Sequence, residues 1–149
     1  MAYINPEIGK EYRRKWRLAH PQAVREASRK YRMHPEGRVR AMLASIRRNA
    51  KVRGFEFSLD VDDLLPAMRN GRCQVTGIKF DMQARGLTPY SPSIDRINNS
   101  RGYTKDNVLL VIFGYNAAKG TGTHADVMAI ARALIDAAAA RISSKLTLP

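Results

Sequence analysis

The chain has 149 residues, enough for one domain with an appendage, and carries a formal net charge of +13. The charge is uneven: residues 1–54 hold 15 Lys and Arg against 4 Asp and Glu (+11), and residues 55–149 hold 11 against 9 (+2). This favours a polyanionic partner over a membrane surface, because the basic segment lacks a wide apolar face and no apolar run is long enough to cross a bilayer.

A weak repeat marks the basic segment. Residues 14–21 (RKWRLAHP) are echoed by residues 29–35 (RKYRMHP). Proline disfavours helix at the residue before it, so each His-Pro pair predicts a helix end, and the histidines are interpreted as helix-end residues rather than metal ligands. The two basic helices either follow nucleic-acid phosphates, with Trp16 and Tyr31 stacking or packing, or are solvated helices anchored by these aromatic residues.

Residues 36–53 predict a longer helix that ends at Gly54. Its apolar residues follow the helical period and predict core packing: Val39, Met42, Leu43 and Ile46. Its basic face is either solvated or lies along a nucleic-acid backbone. We therefore expect residues 1–53 to form a basic helical DNA-binding arm, with candidate contacts at Arg13, Arg14, Lys15, Arg17, Arg29, Lys30, Arg32, Arg47 and Arg48.

Residues 55–59 alternate between apolar and polar and predict a short, half-buried strand. A helix capped by Ser58 or Asp60 follows and closes at Gly71. Pro66 is compatible with this helix only in its first turn. The side chains expected to face inward are Leu64, Leu65 and Met68.

Three strands, a loop and a turn are predicted farther along the chain. Residues 78–80 predict a short strand and residues 81–92 a loop. Residues 93–95 then predict a strand, residues 98–102 (NNSRG) a turn, and residues 108–112 (VLLVI) a second strand.

A short helix is predicted from the end of that strand to Lys119, with Gly120 and Gly122 stopping it. Asp95 ends the first strand, and Asn116 lies on the helix, twenty-one positions later. The order is strand, turn, strand, helix within thirty residues.

A last helix is predicted after Gly122, with Thr123 and Asp126 at the spacing of a capping box. His124 is interpreted as a polar residue of its first turn, and residues 143–149 as a frayed tail. The helix has one apolar face: Val127, Ile130, Ala131, Leu134, Ile135, Ala138 and Ile142. That face either packs on the core or pairs two subunits as a homodimer, and periodicity does not separate the two.

Residues 54–120 resemble the ββα-metal core of the HNH endonucleases, in the form common in bacteriophages. The residues that match in order are Asp95, Arg96, Asn107, Asn116, Lys119 and Gly120, and the segment from Cys73 to Gly77 is similar to the knuckle that precedes this core. The resemblance implies an α+β fold with a degenerate treble-clef, HNH-like core. The domains are then the arm at 1–53, the ββα-metal core at 54–122, and a C-terminal helix and tail at 123–149.

Many relatives in this family hold a zinc ion between two Cys-x-x-Cys knuckles. The corresponding places here are Cys73, Thr76, Ile112 and Tyr115, so three of the four thiolates are missing. We expect no structural zinc and a region held by apolar packing. Cys73, the single cysteine, excludes an internal disulfide and is expected to be a buried small residue rather than a reactive thiol.

The resemblance also implies a catalytic metal. Asp95 and Asn116 would ligate a single Mg²⁺ or Mn²⁺, which takes hard oxygen ligands and leaves room for phosphate and water. The alternative is that Asp95 caps a turn and Asn116 is an ordinary polar helix residue.

The chain departs from the family at Arg96, where a histidine usually activates water. Arginine stays protonated, so either the site is inactive or another residue is the base. Some ββα-metal nucleases have this arginine and a loop tyrosine, which makes Tyr103 the candidate base or proton shuttle, unless it only packs. Arg96 would then clamp the phosphate. Asn107 is expected to tie the loop to the second strand, and Lys119 either meets a phosphate or is a surface lysine.

The implied function is metal-dependent cleavage of DNA, expected to be double-stranded, with Asp95, Arg96 and Tyr103 catalytic. One alternative is a non-catalytic DNA-binding protein on a degenerate nuclease core, and another is an RNA-binding or phage–host interaction protein. The N-terminus has no apolar signal core, so we expect a cytoplasmic protein with no membrane partner, in the host cytoplasm or nucleoid if phage-encoded.

Overall fold

The computed structural model describes residues 6–84 and 86–146, and among these it has a mixed α+β architecture of six helices and one two-stranded antiparallel sheet. The helices are α1 (Pro6–Ala19), α2 (Pro21–Met33), α3 (Pro35–Arg53), α4 (Val61–Asn70), α5 (Phe113–Lys119) and α6 (His124–Leu146). The strands are β1 (Pro92–Arg96) and β2 (Val108–Ile112), with a 3-10 turn (Lys105–Asn107) before β2. None of the described helices combines the length and apolar character that a bilayer span requires.

The three basic helices are separated by single histidines. His20 precedes α2 and His34 precedes α3, and each is followed by a proline at the start of the helix. Proline suits that position because its missing N–H would have no partner inside the helix. The predicted helix ends at both His-Pro pairs are confirmed. Only α3 carries core side chains, with Val39 and Leu43 buried, as the apolar period predicts.

The strands predicted at residues 55–59 and 78–80 are not formed. Each segment makes one isolated bridge instead: Phe57 pairs with Tyr103, and Lys79 pairs with Arg72. A segment with alternating residues forms a strand only when a neighbouring strand supplies a row of backbone hydrogen bonds, and each of these segments has only one bridged residue. The alternation at 55–59 still corresponds to burial, because Phe57 packs against the core.

Helix α4 is capped at both ends. Asp60 and Asp63 form a reciprocal capping box at its start, and Gly71 closes it with a φ of 70°. Pro66 lies inside the helix, past the first turn, which corrects the predicted placement. The hydrogen bond that Pro66 cannot make would have gone to the carbonyl of Asp62, and both residues are exposed, so water can take its place.

The hairpin of β1 and β2 lies in the centre of the core. Ile94 pairs with Leu110, and Leu110 and Val111 are fully buried. Gln74 extends the pairing on the other edge of β2: its backbone N–H donates to the Leu110 carbonyl (3.0 Å) and its Oε1 accepts from the Leu110 N–H (2.6 Å). The turn at Cys73 is thereby fixed beside β2.

Helix α6 begins at the predicted capping box. The Thr123 backbone N–H donates to Asp126 Oδ2 (2.7 Å), and the Asp126 N–H donates to Thr123 Oγ1 (3.2 Å). Val127 packs against the core, whereas most of the large apolar residues of the helix are exposed: Met128, Ile130, Leu134, Ile135 and Ile142. The helix continues to Leu146, so the frayed tail predicted at residues 143–149 is wrong for residues 143–146; residues 147–149 lie outside the described part of the chain.

Candidate functional site

Asp95 and Arg96 are neighbours in sequence but lie on opposite faces of β1, because successive side chains of a strand alternate. Asp95 opens onto a surface pocket of about 340 Å³ between the hairpin, α5 and the start of α6. The pocket has apolar walls and four polar side chains: Asp95, Tyr115, Lys119 and His124. Arg96 is not among its lining residues.

Lys119 forms a buried ion pair with Asp95. Its Nζ donates to Asp95 Oδ1 (3.0 Å), to the Arg96 carbonyl (2.8 Å) and to Asn99 Oδ1 (3.4 Å), and both charged side chains are at most 3% exposed. The three ammonium hydrogens thus have three acceptors. This corrects the expected placement of Lys119, which is neither a surface lysine nor free to meet a phosphate while the pair is closed.

The Asp95–Lys119 pair is a costly feature for a small protein. Taking two charges out of water costs free energy that their attraction repays only in part, so buried pairs are weak devices for stability. Removing one partner is worse, at roughly 3–5 kcal/mol, because the other charge stays buried and uncompensated. The Asp95–Lys119 pair is therefore weak evidence for stability, and its position at an open pocket makes that pocket the candidate site.

Tyr115 and His124 form a second pair in the same pocket. The Tyr115 hydroxyl lies 3.1 Å from His124 Nδ1. Burial raises the pKa of Tyr115, and the negative charges of Asp95 and Cys73 raise it further. Sequence patterns point to Tyr115 only as a position corresponding to a zinc ligand, and to His124 as a first-turn residue that is next in line as the base if Tyr103 only packs. Tyr115 and Lys119 are four residues apart on α5, and this spacing could have shown that they share a face.

Asn116 contacts β1 beside Asp95. Its Nδ2 donates to Ser93 Oγ (2.8 Å) and to the Ile94 carbonyl (3.2 Å). The hairpin and α5 therefore bring the two predicted metal ligands, Asp95 and Asn116, to one end of the sheet. In this arrangement the amide nitrogen of Asn116 acts as a tether between α5 and β1.

The donor set at the pocket suits a hard divalent cation under one condition. Within residues 6–84 and 86–146 no three His, Cys, Asp or Glu side chains cluster as a metal site. Of the two predicted ligands, the Asp95 carboxylate lines the pocket, whereas Asn116 is not among the lining residues and contacts β1 beside Asp95. Such a sparse set fits Mg²⁺ or Mn²⁺ with water and phosphate as further ligands. The condition is that Lys119 leaves Asp95, since its ammonium already neutralises that carboxylate.

Arg96 and Tyr103 lie together on the opposite face of the hairpin. The guanidinium carbon of Arg96 is 3.9 Å from the centre of the Phe55 ring and 5.1 Å from that of Tyr103, and its Nη1 donates to the Arg101 carbonyl (2.8 Å). Both Arg96 and Tyr103 are buried. The structure thus does not bring the two predicted catalytic residues to Asp95, and it gives them packing contacts instead.

Asn107 holds the loop between the strands. Its Oδ1 accepts from the Asn98 N–H (2.9 Å), and its Nδ2 donates to the carbonyls of Asn98 (3.0 Å) and Gly102 (2.8 Å). The side chain is 1% exposed. These contacts tie the loop to the start of β2, which is the structural place expected for Asn107.

Two of the positions that the resemblance would place at a zinc site, Thr76 and Ile112, lie at the Cys73 thiol. The backbone N–H of Thr76 donates to Cys73 Sγ (3.4 Å), and that of Ile112 also approaches it. Burial raises the pKa of the thiol, but these hydrogen bonds outweigh burial, so the net pKa lies below its ordinary value. Cys73 is 3% exposed, as expected for a buried small residue.

The arm presents the remaining predicted contacts to solvent. All nine candidates from Arg13 to Arg48 are exposed, and Lys15 pairs with Glu11 (3.0 Å). Trp16 stacks on His20, with ring centres 4.8 Å apart. No family model, curated protein or solved structure matches the chain.

Proposed function

We propose that the protein is a DNA endonuclease of the ββα-metal type, with β1, β2 and α5 as its reacting centre and the basic helices as its DNA-binding arm. One observation carries the proposal: a buried Asp95–Lys119 pair and a Tyr115–His124 pair meet at one open pocket. Desolvated titratable groups gathered in a cleft are typical of functional sites. The resemblance of residues 54–120 to HNH nucleases supports the same reaction class.

The positive charge of the arm indicates the class of substrate. The net charge of +11 in residues 1–54 matches a polyanion, and Lys and Arg contacts to phosphates dominate DNA affinity. The nine candidate contacts on the arm helices are exposed, which suits contact with the backbone of double-stranded DNA.

The chemistry belongs to the side chains of the pocket. A phosphodiester at its mouth is a second anion for Lys119, in competition with Asp95. His124 is exposed on one side and held by Tyr115 on the other, so its imidazole is placed to take a proton from water, with the Tyr115 hydroxyl fixing the ring. Mg²⁺ or Mn²⁺ held by Asp95 and Asn116 would polarise the phosphate and acidify water. Arg96 and Tyr103 support the hairpin in this proposal.

A second candidate is a non-cleaving DNA-binding protein on the same core. It is favoured by the closed state of the pocket, where Lys119 has three acceptors and neutralises Asp95. In that case the ammonium permanently takes the place of a metal ion, and DNA binding by the arm is the whole activity.

The proposed substrate implies a location, and the exposed face of α6 concerns assembly. An enzyme of this kind would work in the cytoplasm or nucleoid, where DNA is accessible. A homodimer through the exposed face of α6 stays a prediction of the sequence.

Plasmid nicking separates the two candidates. Supercoiled plasmid is incubated with the protein and Mg²⁺, Mn²⁺ or EDTA, using Asp95→Asn and His124→Ala as variants and Asp62→Asn, an exposed carboxylate on α4, as the matched control. We expect nicking with a divalent ion, none in EDTA, and losses on the order of 10²–10⁴ for His124→Ala, because a general base is removed. Asp62→Asn should cut at the parental rate.

Two results would contradict the endonuclease. Normal DNA binding with no nicking in either metal ion supports the non-cleaving candidate, and parental nicking by Asp95→Asn removes Asp95 from the centre. Thermal unfolding of Lys119→Met gives a readout independent of activity. With its ammonium gone, the Asp95 carboxylate should bind Mg²⁺ more readily, so Mg²⁺ should raise the unfolding temperature of this variant more than that of the parent.

A further inference from the structure

A second, larger pocket joins the arm to the core. It has a volume of about 940 Å³ and lies between α2, the start of α3 and residues 82–84 and 86–92. Four arginines line it, together with apolar side chains: Arg25, Arg29, Arg32 and Arg38, with Met33, Met82 and Leu87. Three of the arginines are at positions i, i+4 and i+7 of α2, so they share one face of that helix.

The arginines of this pocket lack anionic partners. Glu26 is the one acidic residue among the lining residues, and within the described part of the chain none of the four arginines forms an ion pair with a carboxylate. Burial lowers the pKa of Arg38 and the charge of Arg32 lowers it further, while Asp81 opposes the shift. Like charges held this close repel, and an incoming anion would relieve that repulsion.

Arg38 also has an unused hydrogen-bond donor. Its Nη2 donates to the Met82 carbonyl (3.3 Å), but its buried Nε has no hydrogen-bond partner among the described residues. A buried charged donor without an acceptor carries an uncompensated desolvation cost, which a bound oxygen would remove. The fork of a guanidinium matches phosphate oxygens two at a time.

We propose that this pocket binds one nucleotide of single-stranded nucleic acid, its phosphate on the arginines and its nucleoside on the apolar wall. The choice of a nucleic-acid ligand rests on the proposed function. A paired base is stacked inside a duplex and cannot reach such a wall, so the wall selects an unpaired nucleotide. Methionine side chains are flexible and can pack against the flat face of a nucleobase. The volume of the pocket is in the range of small-ligand sites.

The first experiment compares single-stranded and duplex DNA by fluorescence anisotropy at one salt concentration. The double variant Arg29→Gln/Arg32→Gln is paired with Arg13→Gln/Arg17→Gln on α1, which removes the same charge from positions outside the pocket. We expect the α2 variant to weaken binding of an oligothymidylate about tenfold more than binding of a duplex, whereas the α1 variant weakens both alike. Equal losses for the α2 variant would mean that its arginines supply only a general field, and the pocket proposal fails.

The second experiment uses small probes and a neutral variant. Thymidine monophosphate should compete with the oligonucleotide better than either thymidine or inorganic phosphate, because it fills both halves of the pocket. Leu87→Ser removes an exposed apolar wall residue and no charge, so it should weaken thymidine monophosphate several-fold and leave phosphate unchanged. Equal competition by the monophosphate and by phosphate would overturn the nucleoside half.

The outcomes distinguish this pocket from the nuclease centre. Selective oligothymidylate binding without plasmid nicking upholds the pocket and removes the endonuclease. If plasmid is nicked, but the α2 variant loses affinity for single-stranded and duplex DNA equally, the endonuclease proposal stands and the pocket proposal fails.

Discussion

At the scale of single residues, the pocket at Asp95 shows where sequence patterns succeed and where they stop. Asp95 and Asn116 could be singled out because their spacing and flanking strands resemble a known motif. The burial of Lys119 could not, since it depends on three acceptors that meet only in the folded chain. The separation of Asp95 from Arg96 was within reach, because strand alternation alone places them on opposite faces.

The two tyrosines give a residue-scale prediction. Tyr103→Phe should cut DNA at the parental rate across pH 6–9, a range chosen around the histidine reference value of about 6.5, because Tyr103 packs on Arg96 away from Asp95. Tyr115→Phe should slow cutting, since His124 loses its hydrogen bond. Both variants keep the ring, so each is the packing control for the other. A slow Tyr103→Phe with a normal Tyr115→Phe would reverse the assignment.

The Tyr115→Phe variant is also expected to change the stability of the protein at alkaline pH. Burial and Asp95 raise the pKa of Tyr115 in the folded protein. Its contribution to stability is therefore complete below the unfolded pKa of about 10 and is lost as pH rises through the folded pKa. Denaturant unfolding between pH 8 and 11 should show a shallower alkaline loss for Tyr115→Phe than for the parent. Equal slopes would mean that the phenol is not desolvated.

At the scale of elements, the helices with distinct end residues and the strands of the hairpin were predictable, whereas the strands predicted at 55–59 and 78–80 do not form. The stops at Gly54, Gly71 and Gly120 each lie where φ is positive, a conformation that glycine adopts without strain. The segments at 55–59 and 78–80 lacked a partner strand, which local alternation does not encode. Pro66 inside α4 shows that the exposed face of a helix can tolerate one missing backbone hydrogen bond.

The joint between α2 and α3 gives an element-scale prediction. A Cβ added at Gly37 would overlap the carbonyl oxygen of Tyr31, so Gly37→Ala should push the two helices apart. We expect a loss of roughly 1–3 kcal/mol in the free energy of unfolding, the usual cost of overpacking. Gly86→Ala is the control, because its Cβ would meet no atom within 4 Å. Urea unfolding measures both, and a Gly37→Ala as stable as the control would show that the joint can yield.

At the scale of the whole molecule, the uneven distribution of charge could be predicted, because the number of charged residues in each segment does not depend on the fold. The arm helices are exposed and the sheet end of the molecule carries the pocket at Asp95. Deleting residues 1–34 removes α1 and α2 but leaves α3 whole. DNA binding should weaken and its salt dependence flatten, by about 0.9 in the slope of log K against log salt for each lost phosphate contact.

The deletion is measured by anisotropy over a range of salt concentrations, with circular dichroism to show that the core still folds. An unchanged slope would mean that the two helices do not touch DNA. Replacing only the charges, at Arg13 and Arg17, should give a smaller flattening in the same assay.

The exposed apolar residues of α6 have a consequence for how the protein behaves in solution. At low ionic strength the net charge of +13 keeps molecules apart, because like-charged surfaces repel over about 10 Å at 0.1 M salt. Added salt shortens that range but leaves Leu134, Ile135 and their neighbours as apolar as before. High salt therefore removes the charge repulsion that keeps molecules apart, so purification in high salt favours self-association and dilute, moderately ionic buffers favour dispersed molecules.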